Sequence, residues 1–171
     1  MQVTNPTQIT LGKLLSEAMA NRGKIKHIYL HWTAGRYDQF FDDYHLNIDG
    51  DGKVYHTCAS LDERKAHTYQ RNSGSIGITL CCALDASWQG EKPDLGSCPP
   101  TTMQLVAMAK VVAVLCAGLG IAIDADAAAI ALVGVSLAFI QAGAGAINLA
   151  VAIDVQVVII KELIIPACGP M

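Results

Sequence analysis

The residues with chemistry to offer are unevenly spread along this chain, and all five histidines lie at or before His67. His31 closes an apolar run, Ile28-Tyr29-Leu30, and is followed by Trp32-Thr33-Ala34-Gly35. A histidine at the carboxyl end of a strand stands on the site side of an α/β sheet. A neutral imidazole placed there can ligate a metal, although the same position also suits a packed or surface histidine. Tyr44-His45 opens a second apolar stretch. Strand alternation sends the two side chains to opposite faces, so one should line a site while the other packs or meets water. A site tyrosine can donate a hydrogen bond to a developing oxyanion, and a strand tyrosine can equally fill core. His67 lies in Lys65-Ala66-His67-Thr68, ahead of the polar Arg71-Asn72-Ser73-Gly74, where it can touch a ligand or lie exposed.

Two other patterns offer less. Asp49-Gly50-Asp51-Gly52 begins like a calcium loop, but Ser60 stands where the bidentate Glu belongs, so the segment reads as a hairpin turn. The six cysteines, at 58, 81, 82, 98, 116 and 168, contain no Cys-x-x-Cys pair, which argues against a ribbon-type zinc site. Cys81 and Cys82 sit inside an apolar strand pattern, and buried free thiols are expected.

Positioning these groups requires a sheet. Leu11 to Asn21 reads as an amphipathic helix with Leu14, Leu15 and Met19 on one side and Gly23 as a stop. Ile25 to Trp32 reads as a buried strand, and Tyr37 to Asp43 as a short helix or turn. Tyr44 to Ile48 and Lys53 to Thr57 form a predicted hairpin around the Asp-Gly repeat. Ser75 to Cys82 is an apolar strand, and Trp88 to Pro100 a polar loop. Thr101, with Gln104 three residues on, has the form of a capping box and opens an apolar helix ending at Gly118 or Gly120. The order α, β, short α, β-hairpin, β, α predicts one α/β domain with a mixed sheet flanked by helices.

Composition divides the chain. Of 171 residues, 52% are hydrophobic and 16% charged, which excludes a disordered chain, and a net charge of −3 gives no general attraction to nucleic acid. After Ile121 only Asp124, Asp126, Asp154, Lys161 and Glu162 are charged, and Phe139 is the lone aromatic residue. Ala127 to Ile153 is long enough to span a membrane, but Ala and Gly dominate it and basic or aromatic anchors are missing from its flanks. The opening Met1 to Pro6 has no basic region before an apolar run, so no secretory signal is expected.

Taken in order, four segments resemble the zinc-dependent N-acetylmuramoyl-L-alanine amidase family, which includes peptidoglycan recognition proteins and phage lysozyme-type amidases. They are Ile28-Tyr29-Leu30-His31-Trp32-Thr33-Ala34-Gly35; Tyr44-His45-Leu46-Asn47-Ile48-Asp49 with Gly52-Lys53-Val54-Tyr55; Ala66-His67-Thr68; and Asn72-Ser73-Gly74-Ser75-Ile76-Gly77-Ile78. The resemblance runs over about residues 24–121 and is closest in detail to phage or prophage members. It implies cleavage of the amide between N-acetylmuramic acid and L-alanine by a zinc-activated water. It also implies that His31 and Cys168 ligate Zn2+, that Tyr44 assists catalysis, and that Trp32, Thr33, His67 and Asn72 line the substrate. Where many members carry Glu after the Ser-Ile-Gly-Ile strand, this chain has Thr79, which removes one candidate general base.

The family's second metal histidine belongs after the Thr101 helix, yet no histidine follows His67. A change of reading frame or misassigned residues after about 125, a fused membrane-entering segment, and a genuine soluble tail each account for this. The last leaves a peptidoglycan-binding module without a complete zinc site as the alternative to an enzyme. The expectation is a single amidase-like domain over 1–171 with an anomalous apolar tail from 122. Peptidoglycan is the expected partner, membrane association is not expected, and the protein is expected to be cytoplasmic until released to the wall.

Overall fold

A computed structural model of the chain describes residues 1–89 and 92–122. In chain order the elements are β1 (Gln2–Val3), β2 (Thr7–Gln8), α1 (Leu11–Ala20), β3 (His27–Trp32), β4 (Phe40–Phe41), β5 (Leu46–Ile48), β6 (Val54–His56), β7 (Ser75–Leu80), β8 (Ser87–Gln89), β9 (Lys92–Asp94) and α2 (Thr102–Leu119). Five strands form a mixed sheet in the order β2-β6-β5-β7-β3, beside two small two-stranded sheets, β1-β4 and β8-β9. This is the α/β domain expected from the element order.

The interior strand β7 is buried along its whole length and runs parallel to both neighbours, β3 and β5. A strand covered on both sides can be nearly continuously apolar, as Ser75-Ile76-Gly77-Ile78-Thr79-Leu80 is. Alternation still sorts its faces. Ile76, Ile78 and Leu80 join Leu30, Leu46, Ile48 and Val54 in the core with Leu14 and Ala18 of α1 and Met108, Val111 and Leu115 of α2. Gly77 and Thr79 point to the other face, in register with Tyr29 and His31 of β3.

Both helices lie on the core face. Their close approach depends on Gly118, where a β-carbon would stand 2.5 Å from that of Ala18. Arg22 fastens the pair, donating from Nε to the Gly118 carbonyl and from Nη2 to that of Ala117, both at 2.9 Å. These satisfy carbonyls that the helix end leaves open. At the other end of α2 the capping box is present: Thr101 Oγ1 accepts from the Gln104 N–H, and Gln104 Oε1 accepts from the Thr101 N–H. Gln104 is itself buried, and its Nε2 donates to the Ile48 and Cys81 carbonyls. One side chain therefore ties the start of α2 to the ends of β5 and β7. Gly120 ends the helix in the left-handed conformation.

Three expectations need correction. On α1 the inward residues are Leu14 and Ala18, while Leu15 and Met19 are 37% and 57% exposed. The 100° step of a helix carries Leu15 off the Leu14 stripe, and Ala18, four residues on, takes the place that Met19 was given. Of the short helix or turn expected at 37–43, turns form at 37–38 and 42–43 but no helix, and Phe40–Phe41 between them pairs with Gln2–Val3 as a short strand. The loop before Thr101 contains the hairpin β8-β9, paired from Ser87 with Asp94 to Gln89 with Lys92. The hairpin β5-β6 forms as expected, with Gly52 at φ +79° in its turn. Ala127 to Ile153, and a strand expected from Val155 to Ile160, lie outside the described residues.

Candidate active site

The face of the sheet opposite the helices carries His31, which clusters with His67 and, through it, His45. His31 is the fifth residue of β3, beside Thr79 in the register, and its ring centroid lies 5.2 Å from that of Tyr44 and 5.4 Å from that of His67. The site is thus on the sheet's open face, one residue short of the strand's end. His67 arrives from the loop between β6 and β7 and also touches Tyr29 and His45, at 5.9 and 5.6 Å between ring centroids.

The three imidazoles differ in what their nitrogens do. His45 is fully buried; its Nδ1 accepts from the Gly77 N–H at 3.0 Å. An imidazole with an accepting Nδ1 carries its proton on Nε2, and that nitrogen donates to the Glu63 carbonyl at 2.7 Å. Both nitrogens are committed to backbone, so His45 packs, and Tyr44 is the member of the pair that lines the site. His67 Nδ1 meets Thr68 Oγ1 at 3.0 Å and its Nε2 meets Ser75 Oγ at 3.2 Å. His31 Nε2 meets the same Thr68 hydroxyl at 3.4 Å, and no described residue hydrogen-bonds its Nδ1.

Burial keeps these rings neutral. It pushes His31 down to about 4 and His67 down to about 3, the latter helped by the neighbouring His31 and His45, and it also lowers His45. Burial, followed by the nearby Asp43 charge, raises the Tyr44 phenol. At neutral pH Tyr44 is therefore a hydrogen-bond donor and not a base. Thr79 is buried beneath it and supplies no carboxylate.

The remaining predicted site residues make contacts of their own. Thr33 Oγ1 donates to the Cys82 carbonyl at 3.4 Å and accepts from the Cys82 N–H at 3.2 Å, joining the loop after β3 to the end of β7. Trp32 is half-buried and packs against the core. Asn72 Oδ1 accepts from the Thr68 N–H at 2.8 Å and closes the turn that presents Thr68. Cys168 lies outside the described residues. Cys58, Cys81, Cys82 and Cys98 form no disulfide among the described residues, and burial pushes the thiols of Cys58 and Cys82 up to about 12, and that of Cys81 up as well, so these three remain protonated. Sequence reasoning missed Thr68 and Ser75. They are ordinary hydroxyl residues in the matched segments, and only their contacts single them out.

The donor chemistry at His31 suits zinc: a neutral imidazole, anchored through Nε2, with Nδ1 available. Among the described residues no group of three His, Cys, Asp or Glu side chains is placed to hold a metal ion. A family model for N-acetylmuramoyl-L-alanine amidase matches residues 21–141. No curated protein and no solved structure matches the chain.

Proposed function

This chain belongs to the N-acetylmuramoyl-L-alanine amidase family, hydrolases of peptidoglycan, and from that premise we propose that it is a zinc-dependent enzyme whose metal is held in part by His31. The carrying observation is the state of that residue: neutral, anchored at Nε2, and without a described partner at Nδ1. Cys168 is proposed as a further ligand. When bound, zinc supplies Lewis-acid polarisation of the scissile carbonyl and acidifies the attacking water.

The chain's own residues do the rest. Tyr44 stands beside His31 with its phenol protonated, so it donates a hydrogen bond where negative charge develops on the carbonyl oxygen. The muramyl peptide is proposed to lie against His67 and Thr68, with Thr33 and Asn72 beside them, while Trp32 packs against the core. Within this reading the enzyme acts on a bacterial wall, in phage lysis or in wall remodelling.

The test is the release of L-alanine amino termini from purified peptidoglycan, with and without a chelator, alongside zinc analysis of the same protein. Chelator-sensitive release is expected. Release that a chelator leaves unchanged would overturn the zinc reading. Binding to peptidoglycan without release, by protein holding substoichiometric zinc, would identify a binding module instead.

A further inference from the structure

The hydroxyls around His67 form a chain of hydrogen bonds whose proton positions can be assigned one by one. Ser75 Oγ lies 2.8 Å from the Arg71 carbonyl, which can only accept, so the single Ser75 proton is spent there. Ser75 Oγ must then accept from His67 Nε2 at 3.2 Å, which puts the His67 proton on Nε2 and leaves its Nδ1 as an acceptor. Thr68 fills that acceptor, donating from Oγ1 at 3.0 Å. Having given its one proton, Thr68 Oγ1 can only accept from His31, whose Nε2 is 3.4 Å away. The reverse assignment would need Ser75 to donate to His67 and leave the closer Arg71 carbonyl unserved.

We infer that Thr68, oriented by His67 and Ser75, is a positioning residue that holds His31 as its Nε2–H tautomer and so leaves Nδ1 as the nitrogen with a free lone pair. The inference builds on the reading of His31 as a zinc ligand. A ligating histidine usually donates its second ring N–H to an outer partner, which fixes both tautomer and ring orientation. Here the partner is a hydroxyl whose own proton is directed away by a third residue. Thr68 is suited to the task because its backbone is also fixed: its N–H donates to Asn72 Oδ1, and its carbonyl accepts from the Arg71 N–H at 3.2 Å. Gln70, at φ +59°, makes the tight turn between them.

The tautomer can be read without metal or turnover. In the full-length, 15N-labelled, chelator-treated protein, two-bond proton–nitrogen correlations identify which nitrogen of each histidine carries the proton. His31 and His67 are expected as pure Nε2–H forms. Thr68→Val, close in shape but without the hydroxyl, should turn His31 into a mixture of tautomers, and Thr68→Ser should restore the single form. Zinc titration should follow the same order, with affinity falling about 10- to 100-fold in the Val variant and recovering in the Ser variant. Ser75→Ala should disturb His67 first and His31 through it.

A wild-type His31 found as Nδ1–H, or a tautomer unmoved by Thr68→Val in a folded protein, would overturn the inference. If the tautomer behaves as expected but wild-type protein retains no zinc, the positioning stands and the zinc reading of His31 fails.

Discussion

The ring of His67 lies directly over Gly77, in the space that a side chain would need. A β-carbon built on Gly77 would stand 2.4 Å from His67 Cγ and 2.8 Å from its Cβ. The same glycine uses its N–H on His45 Nδ1 and its carbonyl on the His45 N–H, so one residue without a side chain seats two of the three clustered imidazoles. The family-like Ser75-Ile76-Gly77-Ile78 segment therefore requires glycine for clearance on the site face, while its isoleucines face the core.

Gly77→Ala should force the His67 ring off its seat, at about the 1–3 kcal/mol typical of overpacking. Urea unfolding of the single variants and of Gly77→Ala combined with His67→Ala gives the check. Removing the ring removes the clash, so the alanine should cost clearly less in the double variant than alone. Equal costs in both backgrounds would place the strain elsewhere.

Tyr44→Phe should lower amidase turnover by roughly 10- to 1000-fold, the loss expected for one oxyanion donor or proton-transfer group, while zinc content stays as in the wild type. His31→Ala should remove both zinc retention and cleavage. Metal analysis beside a cell-wall digestion assay separates the two. A Tyr44→Phe protein that loses its zinc would show that Tyr44 supports the metal site and not the reacting carbonyl.

The elements and the matched segments were legible because local signals agreed with the global fold. The Thr101–Gln104 box, the Asp-Gly hairpin and the apolar β7 each carry a short-range pattern, and each forms. What the pattern hid was the role of individual polar residues. His45 and Tyr44 are adjacent, and alternation alone left open which of them faces the site; the two backbone bonds of His45 decide it. The resemblance implies a substrate-lining Asn72, yet its side-chain Oδ1 closes the turn at Thr68. Thr68 and Ser75 acquire meaning through contacts 37 and 8 residues away, which no local window contains. On α1, neighbouring apolar residues gave two possible stripes, and packing against Gly118 selects the one with Ala18.

Gln104→Leu should destabilise the domain by about 1–3 kcal/mol, and the reason is specific. The Ile48 carbonyl keeps a second donor, the Cys81 N–H at 2.8 Å, but among the described residues the Cys81 carbonyl has only Gln104. The leucine leaves that buried acceptor unserved and also removes half of the capping box. Thermal unfolding measures the loss. A Leu variant as stable as the wild type would mean that apolar packing replaces both bonds.

Acid should destabilise the metal-free protein before its carboxylates titrate. An imidazole in the unfolded chain titrates near 6.5, whereas in the folded protein burial holds His31 at about 4, His67 at about 3, and His45 below its ordinary value. Between those limits the unfolded state binds more protons, so stability rises with pH. The contribution is fully present above about 6.5 and is lost progressively as pH falls toward 4 and then 3. Glu63, which also acts on His45, is held below its ordinary value by its hydrogen bond to Lys65 and stays charged through most of that window; burial is the leading cause at His45. Urea midpoints of the chelator-treated protein should therefore fall steadily from pH 7 to pH 4.5, and His67→Gln should flatten the slope by removing one of the three neutral rings. A midpoint that does not change over that range would mean that the three histidines titrate in the folded protein as they do in the unfolded chain, so that burial does not hold them neutral.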